Sequence, residues 1–273
     1  MATSCHQFHL EPTFKQHTAV EDTNGIIIDV ALTTGEQSEG KQLLEQLDRI
    51  EQITHSKVHA VTCDAGYAHA QNYDALEERH IDAVIPPQRT AVRKNGMQRI
   101  PARRFKYDAL KHRIKCPDGK YLHYAGPSTT QNGHIYRARN CDCNACPLRD
   151  RCISPTAKAR QILIMDGYTA LLRARRRKEK GWDEQTKLKY QRHRWQVEGV
   201  HGRAKTQHGL NRAVRRGRVN VSIQVYLTAA VMNLKKIVMT GVKFWSIFRP
   251  CKATYTTYNT KSRLFLSLVQ TCA

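Results

Sequence analysis

Four residues of this chain have the types and spacing to do chemistry together. Arg194, Glu198 and Lys205 follow one another at four and seven positions in RWQVEGVHGRAK, and far upstream Asp64 closes an apolar run in VTCDAGY. An aspartate leaving a strand and a glutamate on a distant helix can converge on one divalent cation, because magnesium takes oxygen ligands. With basic groups beside them, such carboxylates could clamp the attacking and leaving oxygens of a phosphodiester. Each feature also has an ordinary reading. Asp-x-Gly makes turns and caps helices, and Arg with Glu four positions on is commonly an exposed ion pair.

A second set of candidates is sulfur. Cys116 opens CPDGK, and Cys141, Cys143, Cys146 and Cys152 follow within CDCNACPLRDRC. Thiolates at Cys-x-x-Cys spacing with two more sulfurs complete a tetrahedral zinc site. Cys116, Cys143, Cys146 and Cys152 are the expected ligands, with Cys141 spare. The alternative is a set of reduced thiols that bind nothing.

These residues need elements to position them. Phe14 to Glu21 and Gly25 to Thr33 read as a hairpin around Asp22-Thr23-Asn24-Gly25, since an Asn-Gly step favours a tight turn. Leu43, Leu44, Leu47, Ile50 and Ile53 predict an amphipathic helix over Gly40 to His55. Val58 to Cys63 reads as a strand ending at Asp64, Ala70 to His80 as a helix, and Asp82 to Ile85 as a short strand. From Gln88 to about Ala159 periodicity is lost, which suggests a small separate module with too little apolar content for a core of its own. Ile162 to Met165 then reads as a strand, with helices over Trp182 to His208 and Val219 to Val238. On the first of these helices, Arg194, Glu198, His201, Gly202 and Lys205 are expected to share a face beside a buried stripe at Val197 and Val200, Gly202 permitting close approach. After Gly241 the tail shows little pattern and is expected to be loosely attached.

The chain of 273 residues carries 45 Lys and Arg against 23 Asp and Glu, a formal net charge of +22. Such an excess fits a polyanion, because each neutralised phosphate releases counterions. Arg173, Arg175, Arg176, Arg177, Lys178 and Lys180 precede the Glu198 helix, while Arg212, Arg215, Arg216 and Arg218 follow it. Bracketing the carboxylate in this way, they are the expected contacts to a DNA backbone. No signal peptide is readable, and Val221 to Leu234 is too short and interrupted to span a bilayer. The expected location is the cytoplasm, at the nucleoid, with no membrane partner, where reduced cysteines serve as metal ligands or core residues.

Taken together, Asp64 to Tyr67, Asn72, and Arg194, Glu198 and Lys205 resemble the DDE transposases of bacterial insertion sequences. Their signature around the glutamate has Tyr, two residues, Arg, three residues, Glu, six residues, Lys. Here the Tyr place holds Gln191, with Tyr190 one step away. KQHTAVED, GIIIDVALTTGE, HGLNRAVRRG and NLKK extend the likeness from about Lys15 to Lys236, and the cysteines resemble those of an insertion found in one branch.

The resemblance implies an α/β, ribonuclease H-like mixed sheet flanked by helices, with magnesium held by Asp64 as the second catalytic Asp and Glu198 as the closing Glu. It implies cleavage of transposon ends and strand transfer into target DNA, both double-stranded, and a homodimer in the family's active form. Arg194, Lys205, Arg175, Arg176, Arg177, Arg212, Arg215 and Arg216 would hold phosphate. The family's first Asp, from an opening strand ahead of Phe14, has no counterpart. Glu11 is the only acid before position 21, Asp22 lies in the hairpin turn, and Asp29 lies on a strand. The expectation is therefore an N-terminally truncated, inactive transposase whose sheet lacks its central strand. The alternative is a non-catalytic DNA-binding regulator. The expected divisions are 1–87 and 161–240 for the two parts of the core, 88–160 for the cysteine-rich insertion and 241–273 for the tail.

Overall fold

The computed structural model describes residues 13–88 and 99–239, together with the backbone of 264–272. Strands β1 (Phe14–Glu21) and β2 (Ile27–Thr34) form the hairpin. Its turn is held by the Glu21 carboxylate, which accepts hydrogen bonds from the backbone of Thr23 and Asn24 at 2.6 and 2.7 Å. Helix α1 (Gln42–Thr54) buries Leu43, Leu47 and Ile50, and then come β3 (Val58–Cys63), α2 (Ala70–Glu78) and β4 (Asp82–Val84).

The stretch without periodicity folds into regular structure. β5 (Lys106–Asp108), β6 (Arg113–Lys115), β7 (Tyr121–Pro127) and β8 (Gly133–Ala138) form an antiparallel meander, completed by β9 (Gln161–Met165). Short helices α3 (Asn140–Asn144) and α4 (Arg149–Cys152) lie between β8 and β9. The expectation of a module too poor in apolar residues for a core is corrected. Phe105, Ile114, Leu122, Tyr136, Ala138, Ile162 and Ile164 pack into a cluster of their own. The pattern hides this because the strands are only three to seven residues long and several positions outside that cluster are polar or exposed. β9 belongs to this sheet, since it pairs with β8 from Gln161 to Met165.

Three helices follow. α5 (Tyr168–Glu179) packs on α2 through buried Ala170 and Leu171. α6 (Glu184–Gln207) is capped by Asp183, whose side chain accepts from the Thr186 backbone at 3.1 Å. α7 (Arg218–Met239) lies against β2, where Asn233 clamps Ile27 by accepting from its N–H at 2.9 Å and donating to its carbonyl at 2.7 Å. One face of the first sheet is covered by α1, α2 and α5, the other by α6 and α7. Among the described residues no helix is long and apolar enough to cross a membrane.

The largest departure from expectation concerns the centre of that first sheet. Strand β10 (Leu264–Cys272) fills it, giving the order β2-β1-β10-β3-β4. β10 runs antiparallel to β1, from Lys15 opposite Cys272 to Glu21 opposite Leu266, and parallel to β3, with Cys63 opposite Leu268. The tail therefore supplies the strand that the sequence leaves absent, and the facing edges of β1 and β3 are paired. Its sequence is apolar from Leu264 to Val269 but for Ser267.

Candidate active site

Asp64 sits where β3 gives way to a 3₁₀ turn, Ala65–Tyr67, and its carboxylate accepts the Gly66 N–H at 2.9 Å. The turn is braced from below. Tyr67 is fully buried, with its hydroxyl 2.7 Å from His17 Nδ1, and His17 Nε2 lies 3.0 Å from the Thr33 hydroxyl. Asn72 donates to the carbonyls of Tyr67 at 3.0 Å and Gly40 at 2.9 Å. A side chain at Gly40 would meet the His69 ring, which would have to shift. Residues Asp64 to Tyr67 and Asn72 thus form a built turn whose free end is one carboxylate.

A second carboxylate stands beside it. Glu39 faces Gly66 from the start of the α1 region and pairs with Lys15 at 3.4 Å. Burial pushes the Asp64 carboxyl above its ordinary range, the Gly66 N–H opposes this, and the charge of Glu39 adds to the rise. Nothing in the sequence pattern marks Glu39. An acid just ahead of a helix ordinarily answers the helix dipole, and only the fold turns this one toward Asp64.

Glu198 is held differently. Its side chain is 61% exposed and accepts from Arg194 Nε at 3.2 Å, the surface ion pair that the spacing allows. Tyr190, Arg194 and Glu198 form one row along α6. The Tyr190 hydroxyl is raised by burial first, then by the charge of Asp64, with Arg194 opposing and Glu198 adding. Both acids therefore act on the Tyr190 hydroxyl. Lys205 lies two turns further along, half-buried.

Two expectations for this helix are corrected. His201 does not share the Glu198 face; it is buried with His193, Val197, Val200 and Ala204, a stripe at successive helical steps that packs toward the sheet. Gly202 is exposed, with open space where a side chain would stand, so it permits no close approach.

The basic residues divide into two groups. Arg177 bonds Asp82 and the Thr186 hydroxyl, each at 3.0 Å, and Lys189 reaches Asp82 at 3.0 Å. Burial alone would raise the Asp82 carboxyl, but these hydrogen bonds hold it below its ordinary range. Arg173 is paired with Glu77. Arg177 and Arg173 thus tie α5 to its neighbours, a structural task that the sequence does not separate from phosphate binding. Arg175 is half-buried near Tyr73, while Arg176, Arg212, Arg215 and Arg216 are exposed. Neither alternative acid comes to Asp64. Asp22 pairs with Arg192 at 2.7 Å, and Asp29 is bound by Gln46 and Arg49 at 2.9 and 3.0 Å.

A family model described as a transposase DDE domain matches residues 115–238. This part of the chain, less than half of it, is similar to a transposase DDE domain. The match takes in Arg194, Glu198, Lys205 and the cysteines Cys116 to Cys152, and it begins beyond Asp64. No curated protein and no solved structure matches the chain.

DDE transposases work with a divalent metal, typically magnesium. Asp64 and Glu39 offer oxygen donors of the right kind, but Glu198 extends into solvent on Arg194. Among the described residues no three His, Cys, Asp or Glu side chains gather closely enough to hold a metal ion. As placed, the carboxylates do not make a magnesium shell.

Of the four expected zinc ligands, Cys116, Cys143 and Cys152 lie half-buried against the core of the second sheet, but among the described residues the sulfurs do not gather closely enough to hold a metal ion. Burial raises the Cys152 thiol, Arg160 opposes, and Cys143, Cys146 and Cys116 add to the rise. The Cys146 thiol is likewise raised, by burial first, with Asp118 and Cys116 contributing. Backbone N–H groups of Leu148 and Arg160 point at the sulfurs of Cys146 and Cys143, at 3.4 and 3.5 Å. Cys141 is exposed.

Proposed function

We propose that this chain binds double-stranded DNA through the exposed arginines flanking α6 and does not cut it on its own. The observation that carries the second half is the composition of β10. It lies beside the strand that ends at Asp64, in the middle of the sheet, and LFLSLVQTC contains no acid. Continuing the register one step past Cys63 opposite Leu268 puts Val269 level with Asp64. Two-metal cleavage needs carboxylates converging from separate elements, and the strand next to the one that ends at Asp64 contains none.

The binding half rests on Arg176, Arg212, Arg215 and Arg216, with Arg194 and Lys205 along α6, in a chain of net charge +22. Fluorescence titration of duplex DNA against salt tests it. Affinity should fall steeply as salt rises, and replacing Arg212, Arg215 and Arg216 with alanine should flatten the slope by about one for each phosphate no longer neutralised. An unchanged slope would refute the assignment. Footprinting then separates the two readings of a non-cutting protein: protection of a defined terminal repeat favours a regulator that competes with active transposase, and sequence-independent binding favours a remnant.

We also infer a structural zinc that would draw together Cys116, Cys143, Cys146 and Cys152, supported by the packing of three of them against the second core and by the N–H groups aimed at two of the sulfurs. Zinc would displace the protons of these thiols on binding. One zinc per chain after purification without chelator is expected, falling to none in Cys146→Ser with Cys152→Ser.

A further inference from the structure

The second sheet has two unlike faces. Tyr107, Ile114, Leu122 and Tyr136 point to one side and build its core. Alternation along each strand sends the intervening residues to the other side, and there they are mostly basic. One row across the strands runs Lys106, Lys115, Tyr121, and the next runs Asp108, Arg113, His123, Arg137, Gln161. Lys106, Lys115, His123 and Arg137 are exposed. Such a face works against the fold, since Lys106 stands directly opposite Lys115 and like charges so placed repel. Lysine on an edge strand guards against edge-to-edge pairing. That accounts for Lys106 on β5 but not for Lys115 or Arg137, whose strands β6 and β8 are paired on both sides.

Among the described residues, Lys106, Arg113, Lys115 and Arg137 form no ion pair. Arg113 lies over the Tyr121 ring at 4.0 Å, and Arg137 donates to the neutral Gln161 side chain at 3.1 Å. Arg173, Arg177 and Lys189, by contrast, are all bound to carboxylates. The one acid of the face, Asp108, accepts the Lys111 N–H at 3.2 Å in the turn between β5 and β6. The rest of the chain brings little that could neutralise these cations, since 89–98 and 240–263 contain no Asp or Glu and 1–12 contains only Glu11. Four cations held side by side without counter-charges need a polyanion from outside.

We propose that this face of the second sheet holds the sugar–phosphate backbone of duplex DNA, through residues distinct from the arginines that flank α6. Strands about 4.8 Å apart carry the face about 14 Å from β5 to β8. A duplex bears about eight phosphate charges over that length, enough to engage all four cations at once. A single strand fits less well, because it is gripped by open aromatic faces on which bases stack. Here the Tyr121 ring is already covered by Arg113, and Tyr124 belongs to the opposite side, against Tyr136. This inference shares with the proposed function only its partner.

Fluorescence titration of the full chain with a duplex, repeated across salt concentrations, tests it. Lys106→Gln, Lys115→Gln and Arg137→Gln together should flatten the salt slope by about two to three, about one for each phosphate no longer neutralised. All three side chains are exposed and unpaired with any acid, so the melting midpoint should stay unchanged. If this triple variant keeps the wild-type slope while alanine at Arg212, Arg215 and Arg216 flattens it, the proposal falls and the reading of the α6 arginines stands. The reverse result upholds the sheet face and removes that reading. A loss confined to a single-stranded oligonucleotide, with duplex binding unchanged, also overturns the proposal, and a wild type that binds no duplex overturns both.

Discussion

Asp64 and Glu198 are two carboxylates held by the fold in opposite ways. Asp64 caps a turn that is pinned by Tyr67, His17 and Asn72, all buried, and its carboxyl is raised by that burial. Glu198 stands in solvent with one arginine four residues away. Burying a charged group costs stability unless it is compensated, so a fold that raises a carboxyl in this way constrains one acid and leaves the other free to move. The difference teaches where the molecule keeps its structure. The Asp64 side depends on the whole sheet, the Glu198 side on one turn of helix.

That contrast can be broken most severely at β10. Removing residues 264–273 would leave β1 and β3 with facing unpaired edges and strip α6 of the strand it crosses. Cooperative unfolding of the first sheet is expected to disappear in calorimetry, with loss of amide protection along β1 and β3. A melting midpoint close to that of the intact chain would mean that the Asp64 side does not rest on this strand.

Acid should act next in size. The buried rings of His17 and His193 are lowered from 6.5 to about 4, in both cases by burial first; Lys15, Arg49 and His201 add to the effect on His17, and His201 to that on His193. The unfolded chain takes up these protons near 6.5, whereas the folded one refuses them until about 4. Stability should therefore be full above about pH 6.5 and fall by a few kcal/mol as pH drops toward 4. His17→Gln should shrink that dependence in pH-resolved thermal melts. A dependence that His17→Gln leaves unchanged would remove His17 from this account.

The smallest pair of changes sharpens the contrast directly. Asn72→Ala removes two buried hydrogen bonds, the Tyr67 carbonyl keeping only the His69 N–H, and should cost about 2 kcal/mol. Glu198→Gln should change stability by less than about 0.5 kcal/mol, as exposed ion pairs do. Denaturant melts on both variants measure the gap, and equal costs would erase the distinction.

Much of the fold is legible in the chain, for reasons that differ by element. Val58–Cys63 and the helices from Gln42, Ala70, Glu184 and Arg218 follow from periodicity, which local sequence carries. α5 is hidden because the basic run from Arg173 to Lys178 fills half of it, and only Ala170 and Leu171 reach the core. β10 cannot be read, since its place is decided by pairing with strands more than two hundred residues earlier. At the site, Asp64 and the Arg194–Glu198 pair are visible as spacing. Glu39 is not, because its approach to Asp64 exists only after the turn at Gly66 closes. Counting from Glu198 puts His201 on the wrong face because it ignores the stripe running through His193, Val197 and Ala204.

Strand cleavage of duplex DNA by the purified chain, with magnesium or manganese added, tests the central claim most directly. DNA should be bound and left intact, in the wild type and in Asp64→Ala alike. Metal-dependent cutting by the wild type that Asp64→Ala abolishes would show that the carboxylates do assemble, and would contradict the account.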